Sequence, residues 1–279
     1  MVLHSQCLSL QKPMTPTLIS HRFRGFGPEE NTLPALRGAL DYGVEVVEFD
    51  VRMSRCGTPF VYHDEHAPSG SGEKLLSEVM ANDFATVGGR FASMPTLDAL
   101  LELAASHPHE ATLLIDVKDA GFEEAIHSLV MLHGLASRAA YVSWLPEVLY
   151  ALHRLAPEVP LCLSHWAGEP GAARRNHTVF ESRDGSVPEP ARTPFGTRSG
   201  WWLKAPLAGE MRDMLARTGG YVCVPRTQVN RERVEDYSRD GIRTTTFGYV
   251  DAGMVREHRE RFGVDGVFVD AREVFEVLL

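Results

Sequence analysis

Residues 17–51 read TLISHRFRGFGPEENTLPALRGALDYGVEVVEFDV. A short β-prone run, 17–20, leads into a stretch where Leu33, Leu36 and Leu40 recur at helical spacing over 31–42. Asn31 or Thr32 stands where a side-chain oxygen caps a first helical turn. A stronger β run, 45–51, follows. Strands separated by helices imply parallel pairing, since parallel strands need a crossover connection that a helix supplies.

The same unit recurs outward from this stretch. Further strands are expected at 112–117, 140–143, 161–164, 221–224, 242–247 and 266–270, and helices at 96–105, 123–135, 147–155, 208–217, 231–238 and 253–261, with a short helix closing the chain. An extended run at 59–62 stands outside the alternation. Eight strand–helix units predict an α/β protein of the (β/α)8 TIM-barrel class, with its active site at the C-terminal strand ends. An open doubly wound sheet would carry a glycine-rich phosphate loop after its first strand, and HRFRGFG at 21–27 is not one. Two segments exceed ordinary loop length: 65–94 after strand 2 and 166–200 after strand 5. Neither resembles an interdomain linker, so 1–279 reads as one domain with two insertions over the barrel mouth.

Composition agrees. The 279 residues are 44% hydrophobic and 23% charged, enough for a large core. Twenty-eight basic against 37 acidic residues give a net charge of −9, which repels nucleic acid and anionic surfaces. Cys7, Cys56, Cys162 and Cys223 form no CxxC pair and predict a reducing compartment. Neither a basic-then-apolar leader nor an apolar stretch of about 20 residues is seen. The expectation is a soluble, cytoplasmic protein with a small-molecule partner, no nucleic acid and no stable membrane insertion.

Charged residues gather at strand ends. Strand 1 ends in His21-Arg22, strand 2 in Glu48-Phe49-Asp50, the run after it in His63-Asp64, and strand 3 in Asp116-Val117-Lys118. Side chains two apart on a strand share a face, so Glu48 and Asp50 project together, as do Asp116 and Lys118. Three carboxylates inside a barrel need a cation, and oxygen ligands suit a hard one, Mg²⁺ or Ca²⁺. Each signal has a plainer reading alone: a solvated E-x-D face, a His-Asp loop pair, a surface Asp-x-Lys ion pair. Their coincidence at the strand ends of one face carries the weight.

HRFRG (21–25), ENT (30–32), EFD (48–50) and HD (63–64), in this order, resemble the glycerophosphodiester phosphodiesterase family. MPTLDALLEL, LLIDVK, LAPEVPL and GVDGVFVD resemble its later blocks, so the likeness runs from about residue 19 to 270. The resemblance implies metal-dependent cleavage of a glycerophosphodiester to glycerol 3-phosphate and an alcohol. Glu48, Asp50 and Asp116 would hold one divalent cation. His21 and His63 would be general base and acid in an order the sequence leaves open, with the glycerol 2-hydroxyl or a metal-bound water attacking phosphorus. Arg22 and Lys118 would neutralise the phosphate. Glu30 belongs to the family site, although it also suits the dipole of the following helix.

The chain departs from the family at several points. Phe23 replaces the usual glycine and Arg24 adds a cation beside Arg22. Asp116 stands where Glu is usual, and Thr245-Thr246 lacks a Trp expected in the glycerol pocket. Trp144 stands where Phe is usual and is a candidate pocket wall or core residue. These changes keep open a different phosphodiester, such as a lysophospholipid or sugar phosphodiester cleaved by a lyase. A non-catalytic phosphate-ester binding module is the third reading. An amidohydrolase would want HxH, and position 23 is Phe. Trp201-Trp202 is expected against the barrel rim, Arg174, Arg175 and Arg183 in solvated loop, and His66, His107, His109 and His133 at the surface. Asp270 is a candidate hydrogen-bonding support for the site.

Overall fold

A computed structural model describes residues 15–168, 178–188, 193 and 195–279. Eight parallel strands close on themselves: β1 (Thr17–His21), β2 (Val46–Met53), β3 (Thr112–Val117), β4 (Ala139–Ser143), β5 (Leu161–Ser164), β6 (Tyr221–Pro225), β7 (Arg243–Tyr249) and β8 (Gly266–Val269). The seam is β1 against β2, with Ser20 beside Val47 and His21 beside Glu48. The helices following them are α1 (Leu33–Tyr42), α2 (Leu97–Ser106), α3 (Glu123–Leu132), α4 (Pro146–Leu155), α5 (Glu210–Arg217), α6 (Arg231–Arg239), α7 (Ala252–Phe262) and α8 (Arg272–Leu278). This is the expected TIM barrel.

The period-two alternation of each strand separates two cores. Ile19, Leu114, Ala140, Val142, Cys162, Cys223 and Phe268 fill the barrel interior. The alternate residues, such as Val47, Phe49, Val51, Leu113 and Ile115, pack with the helices outside. The interior layer turns polar towards the mouth, where Glu48, Asp50 and Asp116 continue the inward face. Register sets Asp50 directly beside Asp116.

Thr32 is the cap of α1: its Oγ1 accepts from the Ala35 amide, 3.4 Å away. The extended run is a strand, Pro59–Val61, antiparallel to β2. Beyond it lie a hairpin, His66–Ser69 with Gly72–Leu75, and short helices. They bury a core of their own around Phe60, Leu76, Phe84 and Phe91. After β5, three short parallel strands form a second sheet: Thr178–Ser182, Ser199–Leu203 and Trp166–Ala167, in that spatial order. Trp201 and Trp202 are buried there as expected. Arg183 is exposed, whereas Arg174 and Arg175 lie outside the described residues.

Two expectations need correction. Helix α3 ends at Leu132, not at 135, where Gly134 takes a positive φ. Three of the histidines placed at the surface are half-buried and partnered: His107 with Asp41, His109 with the Val44 carbonyl, His133 with Asp98. Only His66 of the four is exposed. Among the described residues, no helix is long and apolar enough to cross a membrane.

The β1–α1 loop is bent through the left-handed region at three non-glycine residues, Arg22 (φ 57°), Phe23 (φ 61°) and Asn31 (φ 54°). Phe23 is fully buried against Phe49 in the outer core, with ring centroids 6.0 Å apart. Glycine would relieve roughly 1–2 kcal/mol of strain there but would empty a site whose truncation costs about 3–5 kcal/mol. Phe23→Gly is therefore expected to lower the unfolding free energy by about 1–4 kcal/mol in a denaturant titration. Unchanged stability would mean that relieved strain offsets the lost packing.

Candidate active site

The C-terminal ends of β1, β2, β3 and β8 and the turn after the Pro59–Val61 strand bring one polar cluster together. Glu48, Asp50 and Asp116 offer carboxylate oxygens all within 4.8 Å of one another, and all three residues are buried. Arg22 and Lys118 face them. Arg22 Nε lies 3.1 Å from Asp50 Oδ2. Lys118 Nζ lies 2.8 Å from Asp50 Oδ1 and contacts Asp116 Oδ2. Asn31 donates to Asp50 Oδ2 at 2.8 Å, which accounts for its strained backbone.

Electrostatics divides the three acids. Burial works against the charge of Asp50, but Lys118 and Arg22 outweigh it and hold its carboxyl well below the usual range. Burial, then repulsion from Asp50 and Asp116, pushes Glu48 well above it. Asp116 is also raised, by burial first and despite Lys118. Asp116 Oδ1 is buried without a hydrogen-bond partner. Two cations against three carboxylates leave one negative charge uncompensated. An oxygen-only donor set with an orphaned buried carboxylate oxygen fits one hard divalent cation, which would be held by Glu48, Asp50 and Asp116.

Two imidazoles flank the cluster. His21 Nδ1 lies 2.7 Å from Asp270 Oδ1, and its Nε2 lies 3.9 Å from Glu48 Oε2. Asp270 thus gives His21 the support the sequence left open. Burial pulls the His21 pKa below 6.5 against the opposing effect of Asp270. His63 Nδ1 lies 2.8 Å from Asp64 Oδ1, and burial takes its pKa down to about 4. The hydrogen bond with His63 holds Asp64 down at about 2. Arg24 donates to Glu30 at 2.5 Å and to Asp270 at 2.6 Å, and Glu30 also accepts from Arg22 at 3.2 Å. Glu30 thus engages two arginines and does not sit in the first turn of α1.

Two adjoining cavities open at the mouth. The inner one is lined by His21, Arg22, Glu48, Asp116 and Phe247 among others. The outer one lies towards the second long segment. His63, Lys118 and Trp144 line both. Arg24, Glu30 and Asp50 line neither cavity. Phe23 lines neither cavity, so that substitution leaves the pocket untouched. Phe247, on the same strand face as Thr245, puts a ring in the inner cavity; the sequence comparison at 245–246 missed it by two residues. Asn31 and Arg198 were also missed. Arg198 comes from the second long segment and contacts Asp64, with its Nη2 3.5 Å from His63 Nδ1. Only its nearness in space to a residue 134 positions earlier marks it.

Comparison with known proteins points one way. The family model described as "Glycerophosphoryl diester phosphodiesterase family" matches residues 19–274. Human glycerophosphodiester phosphodiesterase 1 is 29% identical over 167 residues, covering 53% of this chain and 48% of that protein. The chain therefore spans about half the length of this curated relative. A putative glycerophosphoryl diester phosphodiesterase from Silicibacter pomeroyi DSS-3 superposes with a TM-score of 0.71 at 22% identity, covering 95% of this chain and 93% of that one. An Oleispira antarctica phosphodiesterase, solved in complex with the product sn-glycerol-3-phosphate, gives a TM-score of 0.65 at 18% identity over 94% and 96%. At these identities the structures establish the shared fold.

The charge imbalance predicts a crossing pair of results. Glu48→Gln removes the acid whose ionisation burial and repulsion oppose most. In EDTA its melting temperature should equal or exceed the wild type's. With Mg²⁺ or Ca²⁺ at about 100 times Kd, the wild type should gain about 2.7 kcal/mol, a gain that Glu48→Gln loses. A wild-type melting temperature unmoved by either ion would remove the metal centre.

Proposed function

The chain belongs to the glycerophosphoryl diester phosphodiesterase family, and from that premise we propose that it hydrolyses glycerophosphodiesters to glycerol 3-phosphate and an alcohol, with His21 as general base and His63 as general acid. Glu48, Asp50 and Asp116 would hold one divalent cation, Mg²⁺ or Ca²⁺, which when bound neutralises charge on a non-bridging phosphate oxygen. The family match over residues 19–274 supports reading the chain as one catalytic domain.

The arrangement of the two cavities carries the assignment. His21 lines the inner cavity alone, whereas His63 stands where the inner and outer cavities meet. A diester with its glycerol in the inner cavity puts phosphorus near Lys118 and Arg22 and its leaving alcohol beside His63. Asp270 accepts a hydrogen bond from the His21 Nδ1–H, leaving Nε2 with a lone pair towards the site, as a base requires. His21 then removes the proton of the glycerol 2-hydroxyl as the new P–O bond forms, and once the alcohol has left, water that gives its proton to His63 opens the cyclic phosphate to glycerol 3-phosphate while His21 returns its proton to the 2-oxygen. His63, oriented by Asp64, protonates the departing alcohol oxygen as the old P–O bond breaks. Burial keeps His63 neutral in the free enzyme, and a phosphate anion beside it favours its protonated form. Arg22 offers forked donors to the phosphate oxygens and Lys118 a point charge.

Hydrolysis of a glycerophosphodiester followed by ³¹P NMR should give glycerol 3-phosphate as the end product, and EDTA should stop it. A cyclic phosphate end product would instead make the protein a lyase. His21→Ala and His63→Ala should each lower kcat/KM by about 10²–10⁴-fold without loss of fold. Because the His21 pKa is depressed, its base form persists as pH falls, and the acidic limb of kcat/KM should lie below pH 6.5. A limb at or above 6.5 would reassign the base.

A further inference from the structure

The two imidazoles are held by the same arrangement. His21 Nδ1 and Arg24 Nη1 meet at one oxygen, Asp270 Oδ1, at 2.7 and 2.6 Å. His63 Nδ1 and Arg198 Nη2 likewise meet at Asp64 Oδ1, the imidazole at 2.8 Å. Each carboxylate faces two donors, so Nδ1 carries the ring proton and Nε2 is left for chemistry. The surroundings differ. The Asp270 side chain is 14% exposed, whereas that of Asp64 is 54% exposed. Water competes for so open a carboxylate, and an isolated exposed pair fixes little. His63 therefore needs a second hold on its acid.

Arg198 supplies that hold from an anchored position. Its Nε lies 3.5 Å from Glu65 Oε1, so one guanidinium engages two consecutive acids. The next residue, Ser199, opens a strand of the second sheet and donates to Thr193 Oγ1 at 3.3 Å. Buried Glu147 of α4 holds Thr193 in turn, accepting from its amide at 3.0 Å and from its hydroxyl. A chain of contacts thus runs from a barrel helix to the acid beside His63. The backbone of His63 is secured separately: Arg52 Nε donates to its carbonyl at 3.1 Å, and Arg52 is itself paired with buried Asp119. The barrel fixes where His63 sits, and the direction of its ring is left to Asp64 and Arg198.

We propose that Arg198 is a positioning residue for the reaction, fixing the His63 ring through Asp64 so that Nε2 faces the departing alcohol oxygen. This rests on the reading of His63 as general acid.

The single-turnover rate of alcohol release by the full-length, metal-loaded protein tests it, because that is the step in which His63 gives up its proton. Arg198→Ala should slow release from glycerophosphocholine about 10- to 100-fold. The diester concentration at half-maximal rate should stay within about threefold of the wild type's. The p-nitrophenyl ester of glycerol 3-phosphate loses a nitrophenolate that needs no proton, and on it the loss should shrink to about threefold or less. In a His63→Ala background, Arg198→Ala should add less than about twofold. Arg198→Gln is the second arm if the alanine variant does not fold. A loss of equal size on both esters or in both backgrounds overturns the proposal, as does weaker binding with the rate unchanged. If His63→Ala itself shows no dependence on the leaving group, the acid assignment fails, and the double variant still decides whether Arg198 acts through His63. If neither ester turns over, the hydrolytic reading fails and the ¹⁵N spectrum of the His63 ring decides. The wild type should show one tautomer, protonated at Nδ1, and Arg198→Ala a mixture; identical spectra overturn the positioning role.

Discussion

Three carboxylates share the polar end of a barrel interior, and most of what surrounds them answers to that concentration of charge. Asp50 has the most partners, taking Arg22, Lys118 and Asn31 at once. Glu48 and Asp116 each accept one side-chain hydrogen bond, Glu48 from the Arg22 amide at 3.2 Å and Asp116 from Lys118. The loop that brings Arg22 and Asn31 in holds three non-glycine residues in the left-handed region, and that strain persists because buried Phe23 and the Asp50 contacts over-determine it. The site is a set of opposed costs that a phosphodiester and a hard cation are suited to relieve.

Much of this was readable from residue order. Strand ends at His21, Glu48, Asp50, Asp116 and Lys118 follow from alternation, because period two fixes which residues face inward. What sequence could not give is anything set by register between distant strands or by the long segments. Asp270 was legible as a support for the site but its partner was not: it reaches His21 across 249 positions, and only closure of β8 against β1 makes that short. Arg198 and Trp166 enter from a stretch with little hydrophobic period to read. The histidines at 107, 109 and 133 were misplaced because a lone imidazole in a polar context does not betray a partner on another helix or loop.

The departures from the family pattern sort themselves by position. Phe23 is a packing change on the outer core. Arg24 ties Glu30 to Asp270 and so braces the support of His21. Phe247 supplies the inner cavity with a ring where position 245 lacks one. Asp116 and Phe247 face the inner cavity, and Trp144 lines both cavities.

The contact of Arg198 with Asp64 has a consequence for how such a protein can change over generations. The segment that forms the outer wall also grips the acid that orients His63. A loop exchanged between homologues would therefore carry the setting of His63 along with the cavity wall. Variation that alters the wall but spares position 198 leaves that contact intact, whereas insertions that shift that arginine must be matched at 64 and 65. Diversification of this barrel is in that sense gated by a single guanidinium.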